Sequence, residues 1–279
     1  MEQRAVDKII LNALEEDIGS GDITTNLCIP PDARVRGTFI AKERGVVCGL
    51  DVARRVFELV DGDIKFEITA GEGSTVPAGS VIARIGGNAR NILKCERVAL
   101  NLLQRMSGIA TATAEAVKAV EGTKVKITDT RKTTPGLRIL EKYAVRVGGG
   151  HNHRFNLADG ILIKDNHIAA AGGISNAVRA AKKNAPHTLK IEVEVSILED
   201  ACLAAKEGAD IIMFDNMGAE EMKTAAFVIG GKSLTEASGN MGDKNLTEIA
   251  ISGVDIISIG ALTHRIRALD ISLKLELGV

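Results

Sequence analysis

In the second half of the chain, apolar residues come in short, nearly unbroken, β-branched runs: KVKITDT, GILIKD, LKIEVEV, ADIIMFD, SLTEAS and VDIISIG. Such runs predict parallel strands buried on both faces, since a strand covered on each side has no solvent face to fill with polar residues. Helical segments lie between them, namely SNAVRAAKKNA, ILEDACLAAKEG and GAEEMKTAAFVIGG, and two of these close on glycine as helix C-termini do. A βα unit repeated in this way predicts a parallel α/β barrel or a doubly wound sheet.

The first hundred or so residues read differently. MEQRAVDKIILNALEEDIG carries acids throughout and no continuous apolar core, which predicts an amphipathic helix rather than a secretory signal. VRGTFIAKERGVVCGL and DIKFEITAGEGSTVPAGSVIARIGG place short strands between Gly and Pro turns and predict a small sheet. The stretch GEGSTVPAGSVIARI resembles a lipoyl- or biotinyl-carrier hairpin but lacks the turn lysine such a carrier modifies, so it reads as scaffold. From Asn91 to about Val120, apolar residues recur every three or four positions, predicting a helix with an interruption expected near Ser107–Gly108.

Composition narrows the partners. Thirty-five Lys and Arg against 36 Asp and Glu leave a net charge of −1, which argues against a nucleic-acid-coating surface. Aromatics at 3% with no Trp remove the stacking platforms that single-stranded nucleic acids use. No apolar run reaches the roughly 18 residues of a membrane span. Cys28, Cys48, Cys95 and Cys202 form no C-x-x-C pair, which excludes a zinc knuckle or redox motif and suits a reducing cytoplasm. The expectation is a soluble cytoplasmic protein with a small polar ligand, no nucleic acid and no membrane.

Positive charge is nevertheless concentrated. Between Arg131 and His167 stand seven Lys/Arg (Arg131, Lys132, Arg138, Lys142, Arg146, Arg154 and Lys164) against three Asp/Glu, with three of the five His. The run Gly148-Gly149-Gly150 directly before His151-Asn152-His153-Arg154 suggests backbone N–H groups left open to an anion. Zinc on His151 and His153 is disfavoured by the cations beside them.

Nearly every predicted strand ends in polar or charged groups: Asp129-Thr130-Arg131-Lys132, Lys164-Asp165-Asn166-His167, Glu192 and Glu194, Asp215-Asn216, Glu236-Ala237-Ser238-Gly239-Asn240, and Gly260-Ala261. In a barrel the C-terminal strand ends converge on one mouth, where chemistry is built. The last two strand ends, Glu236-Ala237-Ser238-Gly239-Asn240 and Ser258-Ile259-Gly260-Ala261-Leu262-Thr263-His264, suggest a second anion site, the alternative being ordinary turn glycines with a helix cap. Glu194 and Asp215 are carboxylates in a cationic mouth, suited to stabilising developing positive charge or to holding a cation with a pyrophosphate.

The motifs ERVALNLLQRMSGIAT, TDTRKTTPGLR, KYAVRVGGGHNHR, GILIKDNH, IEVEV, MFDNM, EASGN and GVDIISIGALTH, in this order and spacing, resemble the quinolinate phosphoribosyltransferase family from about Glu15 onward. The resemblance implies an N-terminal open α/β sandwich domain (residues 1–108, with 268–279 packing back on it) and an incomplete parallel α/β barrel of TIM-barrel type (109–267). It also implies a cytoplasmic homodimer with shared active sites, allowing a higher oligomer of dimers. The reaction would join quinolinate to phosphoribosyl pyrophosphate with loss of pyrophosphate and CO2, giving nicotinate mononucleotide for NAD biosynthesis. Arg131, His153, Arg154 and Lys164 would grip the quinolinate carboxylates, with Arg97 reaching in from the partner subunit. Ser238, Gly239, Gly260 and His264 would hold the phosphate. Lys132, Lys164, Glu194 and Asp215 would be catalytic, with Mg2+ bound mainly through the pyrophosphate near Glu194 and Asp215.

Overall fold

The computed structural model describes residues 1–277, and its chain divides into two compact units. One comprises residues 1–114, 134–149 and 266 onward; the other comprises 115–133 and 150–265.

The chain begins with α1 (Gln3–Ile18), α2 (Ile23–Cys28), β1 (Arg34–Ala41), β2 (Gly45–Val46), α3 (Leu50–Val60), β3 (Lys65–Ile68), β4 (Thr75–Val76), β5 (Val81–Asn88) and the long α4 (Ala89–Ala119). The amphipathic pattern of the N-terminus resolves as a single stripe on α1, where Val6, Ile10 and Leu14 are buried at four-residue intervals. Phe39 of β1, Phe57 of α3 and Phe66 of β3 form an aromatic cluster, with Phe39 and Phe57 edge to face at 6.2 Å. Such a pair adds about 0.5–1.5 kcal/mol beyond the area it buries.

The second half runs β6 (Lys126–Thr128), α5 (Arg138–Val147), β7 (Ile161–Ile163), α6 (Asp165–Ala171), α7 (Ile174–Asn184), β8 (Ile191–Val195), α8 (Leu198–Glu207), β9 (Ile211–Asp215), α9 (Ala219–Ile229), β10 (Leu234–Ser238), α10 (Leu246–Ile251), β11 (Ile256–Ser258), α11 (Ala261–His264) and β12 (Ile271–Leu277). All six apolar runs are strands, and they form one parallel sheet in the order β6-β11-β10-β9-β8-β7. It is an incomplete barrel, because β6 and β7 do not pair with each other. Beside β6 the chain at His151 makes a short parallel bridge to Thr128, with His151 N–H donating to the Ile127 carbonyl at 2.8 Å. The first unit carries an antiparallel sheet in the order β12-β1-β5-β3, and β12 pairs with β1 from Val35 to Ala41.

Three features depart from the sequence-based expectations. First, α4 is uninterrupted at Ser107–Gly108. The Ser107 hydroxyl accepts from the Cys48 amide at 3.0 Å, and Gly108 is a close-approach point, since a Cβ there would lie 2.3 Å from the Arg267 carbonyl oxygen. Second, residues 134–149 belong with the first unit rather than the barrel. Buried Glu141 of α5 accepts from Arg105 at 2.8 Å and from the Thr134 amide at 3.0 Å, all within that unit. Third, the glycine run does not offer its first amides to a ligand. Gly148 N–H bonds the Ala144 carbonyl and Gly149 N–H that of Arg146, finishing α5, and a Cβ on Gly148 would sit 2.4 Å from the Ala110 carbonyl oxygen. These glycines serve helix termination and close packing on α4.

Candidate active site

The C-terminal ends of the barrel strands surround a cavity of about 470 Å3 lined by Thr130, Arg131, Lys132, His153, Arg154, Leu162, Lys164, Glu194, Met213, Asp215, Asn216, Ser238, Gly239, Asn240 and Ser258. Nine of the residues expected at the site meet here: Arg131, Lys132, His153, Arg154, Lys164, Glu194, Asp215, Ser238 and Gly239. Four cations thus face two carboxylates around a space the size of a small-molecule site.

The strands explain the convergence. Side chains alternate across a strand, so Glu192 and Glu194 of β8 share a face, as do Glu236 and Ser238 of β10. In each pair the residue nearer the C-terminal end, Glu194 or Ser238, reaches the cavity, and its partner lies one layer deeper. Lys164, just past β7, is ion-paired with Glu194 on the neighbouring β8. Leu162 and Met213 add an apolar contribution that the polar strand-end pattern does not reveal.

The loop carrying His153 and Arg154 is pinned from below by Asp129. This fully buried carboxylate accepts from the Asn152 side chain at 2.5 Å and from the His153 amide at 2.9 Å. The Arg154 guanidinium donates to the Gly160 carbonyl at 3.0 Å. Burial first, and then the like charge of Arg131, hold the Arg154 pKa below the usual arginine range, while Glu192 works in the opposite direction. A cation in that situation gains from an arriving anion.

His153 lines the cavity, and its ring is also held by its neighbours. Its Nδ1 accepts from the Arg154 amide at 2.8 Å, and its Nε2 stands 3.1 Å from Glu192 Oε2 and 3.7 Å from Glu236 Oε1. Both ring nitrogens are therefore engaged by the protein. Glu236 is 1% exposed, and burial followed by the neighbouring Glu192 charge push it up to about 7.

Other expected residues lie elsewhere. Gly260 and His264 do not line the cavity but adjoin Lys132, since a Cβ on Gly260 would be 2.9 Å from the Lys132 side chain and 3.6 Å from that of His264. Thr263 of α11 ties this corner together by donating to the Lys132 carbonyl at 2.8 Å. Arg97 is exposed on α4 in the first unit, and Arg138, Lys142 and Arg146 travel with α5 into that unit, so the basic cluster of the sequence is divided in space. Asn216 and Asn240, two cavity residues not singled out as site residues, carry the described chain's non-glycine positive φ values of 59° and 52°.

An incomplete parallel barrel whose strand ends gather four cations, two carboxylates and a Ser-Gly turn defines an enzyme for small, multiply anionic substrates. The chain matches the quinolinate phosphoribosyl transferase N-terminal domain over residues 22–107 and the C-terminal domain over 109–274, and it belongs to that family. It is 46% identical over 273 residues to a probable carboxylating nicotinate-nucleotide pyrophosphorylase of Synechocystis, covering 97% of this chain and 92% of that one. It is 43% identical over 272 residues to a carboxylating nicotinate-nucleotide pyrophosphorylase of Mycobacterium leprae, covering 95% of each. The solved nicotinate-nucleotide pyrophosphorylase of Francisella tularensis superposes with a TM-score of 0.94 at 41% identity, covering 99% of this chain and 98% of that one. No helix among the described residues is long and apolar enough to cross a membrane.

Proposed function

We propose that the barrel-mouth cavity is where quinolinate and phosphoribosyl pyrophosphate meet, in a quinolinate phosphoribosyltransferase reaction that yields nicotinate mononucleotide, pyrophosphate and CO2. The observation that carries this reading is the pairing of Arg131, Arg154 and Lys164 with Glu194, Asp215 and Ser238–Gly239 around one space. Two arginines and a lysine suit the two carboxylates of a planar pyridine ring, because a guanidinium fixes a carboxylate in orientation as well as charge.

The chemistry follows from position. Holding the ring nitrogen against the anomeric carbon contributes about 7–11 kcal/mol through proximity. The nitrogen–carbon bond forms as the carbon–pyrophosphate oxygen bond breaks, and Glu194 and Asp215 oppose the positive charge that develops on the sugar. The ring nitrogen is then cationic and stabilises the electron pair left on the adjacent ring carbon when its carboxylate departs as CO2, and that pair takes a proton. Lys164 holds Glu194 until substrate competes for it. Lys132 and the Ser238–Gly239 turn face the phosphate end of the donor, with Gly260 and His264 bordering Lys132.

The carboxylates of Glu194 and Asp215 are hard oxygen donors of the kind Mg2+ takes. We infer that they face an Mg2+ carried by the pyrophosphate, which neutralises the leaving group. We also propose a cytoplasmic homodimer, extendable to an oligomer of dimers, in which Arg97 enters the partner's cavity.

Nicotinate, with one carboxylate, separates this reading from that of a general phosphoribosyl acceptor site. The wild-type protein with phosphoribosyl pyrophosphate and Mg2+ is expected to turn over quinolinate and to leave nicotinate unreacted. Equal use of both would remove the two-carboxylate assignment.

A further inference from the structure

Beneath the mouth, and separate from it, lies a second cavity of about 330 Å3 that Glu192 and Glu236 line and that Lys164, Glu194 and Asp215 do not. His153 and Arg154 border both spaces. Glu192 and Glu236 are 4% and 1% exposed, so neither is placed to touch a substrate in the mouth. Both nevertheless face the His153 ring, and the Glu236 Oε1 atom is buried without a hydrogen-bond partner. Two buried carboxylates on a ring nitrogen are too deliberate an arrangement for charge balance alone, since each costs desolvation unless its neighbours compensate.

The hydrogen-bond directions fix the ring's state. The Arg154 amide can only donate, so His153 Nδ1, 2.8 Å away, is an unprotonated acceptor. Nε2 faces the Glu192 carboxylate at 3.1 Å, which only accepts, so Nε2 carries the proton, with Glu236 Oε1 behind at 3.7 Å. A ring with its proton on Nδ1, or on both nitrogens, would lose the Arg154 amide bond and free the backbone at the residue whose guanidinium enters the mouth.

We propose that Glu192, backed by Glu236, is a positioning residue that holds His153 in its Nε2–H form and thereby fixes the Arg154 main chain and the place of its guanidinium. His153 is then a bracket between the buried acids and Arg154, and it acts on substrate through Arg154. Metal ligation by His153, Glu192 and Glu236, whose ligand atoms lie within 4.8 Å of one another, is the competing use of the same atoms. The Arg154 charge, which couples to Glu192, opposes a dication there.

The claim about the ring stands on geometry; its effect on substrate rests on the quinolinate reading. The test uses the intact protein labelled with 15N-histidine, with the His153 signal assigned through His153→Gln. Long-range 1H–15N spectra near neutral pH should show a neutral His153 ring protonated on Nε2. Glu192→Gln, which keeps an accepting oxygen, should preserve that state, and Glu192→Ala should lose it. In steady-state kinetics, Glu192→Ala should raise the KM for quinolinate at least about tenfold while changing kcat and the KM for phosphoribosyl pyrophosphate less, with Glu192→Gln recovering most of the loss. A wild-type ring protonated on Nδ1, or on both nitrogens, overturns the proposal whatever the substrate is. So does a stoichiometric displacement of the Nε2 resonance by added Mn2+ or Zn2+. If Glu192→Ala fails to fold, the wild-type spectrum and the Gln variant decide the matter. An Nε2–H ring in a protein that does not turn over quinolinate would sink the substrate assignment and leave the tautomer claim intact.

Discussion

Gly239 stands against Asn216 so closely that a Cβ added to it would lie 2.3 Å from Asn216 Oδ1 and 2.6 Å from the Asn216 backbone nitrogen. The two residues follow adjacent strands, β10 and β9, and the Asn216 amide donates to the Ser238 carbonyl at 3.1 Å. Gly239 has a φ of +87°. Steric and conformational demands therefore coincide at the turn assigned to the donor phosphate. Gly239→Ala is expected to raise the KM for phosphoribosyl pyrophosphate much more than that for quinolinate. A melting curve separates this effect from general loss of fold, and an unchanged KM in a well-folded variant would remove the turn from the phosphate site.

In the proposed site, Arg154→Ala and Lys164→Ala would each delete a charge-assisted contact to a quinolinate carboxylate, worth about 1.5–3 kcal/mol. Each should lower kcat/KM for quinolinate by roughly tenfold to a hundredfold. Lys164→Ala also releases Glu194 from its ion pair, so it should reduce kcat as well, whereas Arg154→Ala should act mainly on KM. Near wild-type kcat/KM in either variant would mean that the dicarboxylate lies elsewhere.

Glu236 supplies a pH prediction. Its carboxyl is pushed from an ordinary 4.5 up to about 7, first by burial and then by Glu192, with His153 opposing. Between those values the folded chain holds a proton that the unfolded chain has released. The stability contribution is thus greatest below about pH 4.5, falls as pH rises through the window, and is flat above about 7. Glu236→Gln keeps the shape and removes the titration. Its Tm relative to wild type should therefore climb from pH 5 to pH 8, as the wild type loses stability that the variant does not. Parallel Tm profiles for the two proteins would show that Glu236 does not titrate in this range.

Arg97 is exposed on α4, and its assignment to a partner's cavity makes a reciprocal prediction. Arg97→Ala and Lys164→Ala proteins, each strongly impaired alone, are dissociated and reassociated in equal amounts. Half the dimers are then mixed, and one site of each mixed dimer has both residues, so activity should recover to about one quarter of wild type. No recovery, with subunit exchange confirmed by a mass tag, would assign Arg97 to its own chain.

The barrel strands were legible because a strand buried on both faces must be apolar along its length, as Ile211–Phe214 and Ile256–Ile257 are. Their polar ends announced the mouth for the same reason, since a charged residue closing an apolar run has to meet solvent or ligand. What sequence proximity could not give was destination. Arg138, Lys142 and Arg146 read as part of the same basic patch as Arg131 and Arg154, yet α5 carries them into the first unit. Gly148 illustrates a second limit, because the absence of a side chain serves close approach to α4 as well as approach to a ligand. Glu192 and Glu236 look like mouth residues from their strand-end positions. Only the strand alternation, counted back from Glu194 and Ser238, places them one layer down, and only the tertiary structure puts both against His153.

If one cavity joins the two substrates and drives decarboxylation, the products of a labelled quinolinate must appear together. Quinolinate carrying 14C in the carboxylate adjacent to the ring nitrogen is incubated with phosphoribosyl pyrophosphate, Mg2+ and either the wild-type protein or Arg131→Ala. The wild type should release labelled CO2, pyrophosphate and nicotinate mononucleotide in equal amounts, and Arg131→Ala should lose all three together. Release of CO2 without the mononucleotide, or undiminished product from Arg131→Ala, would mean that the two substrates do not react in this cavity.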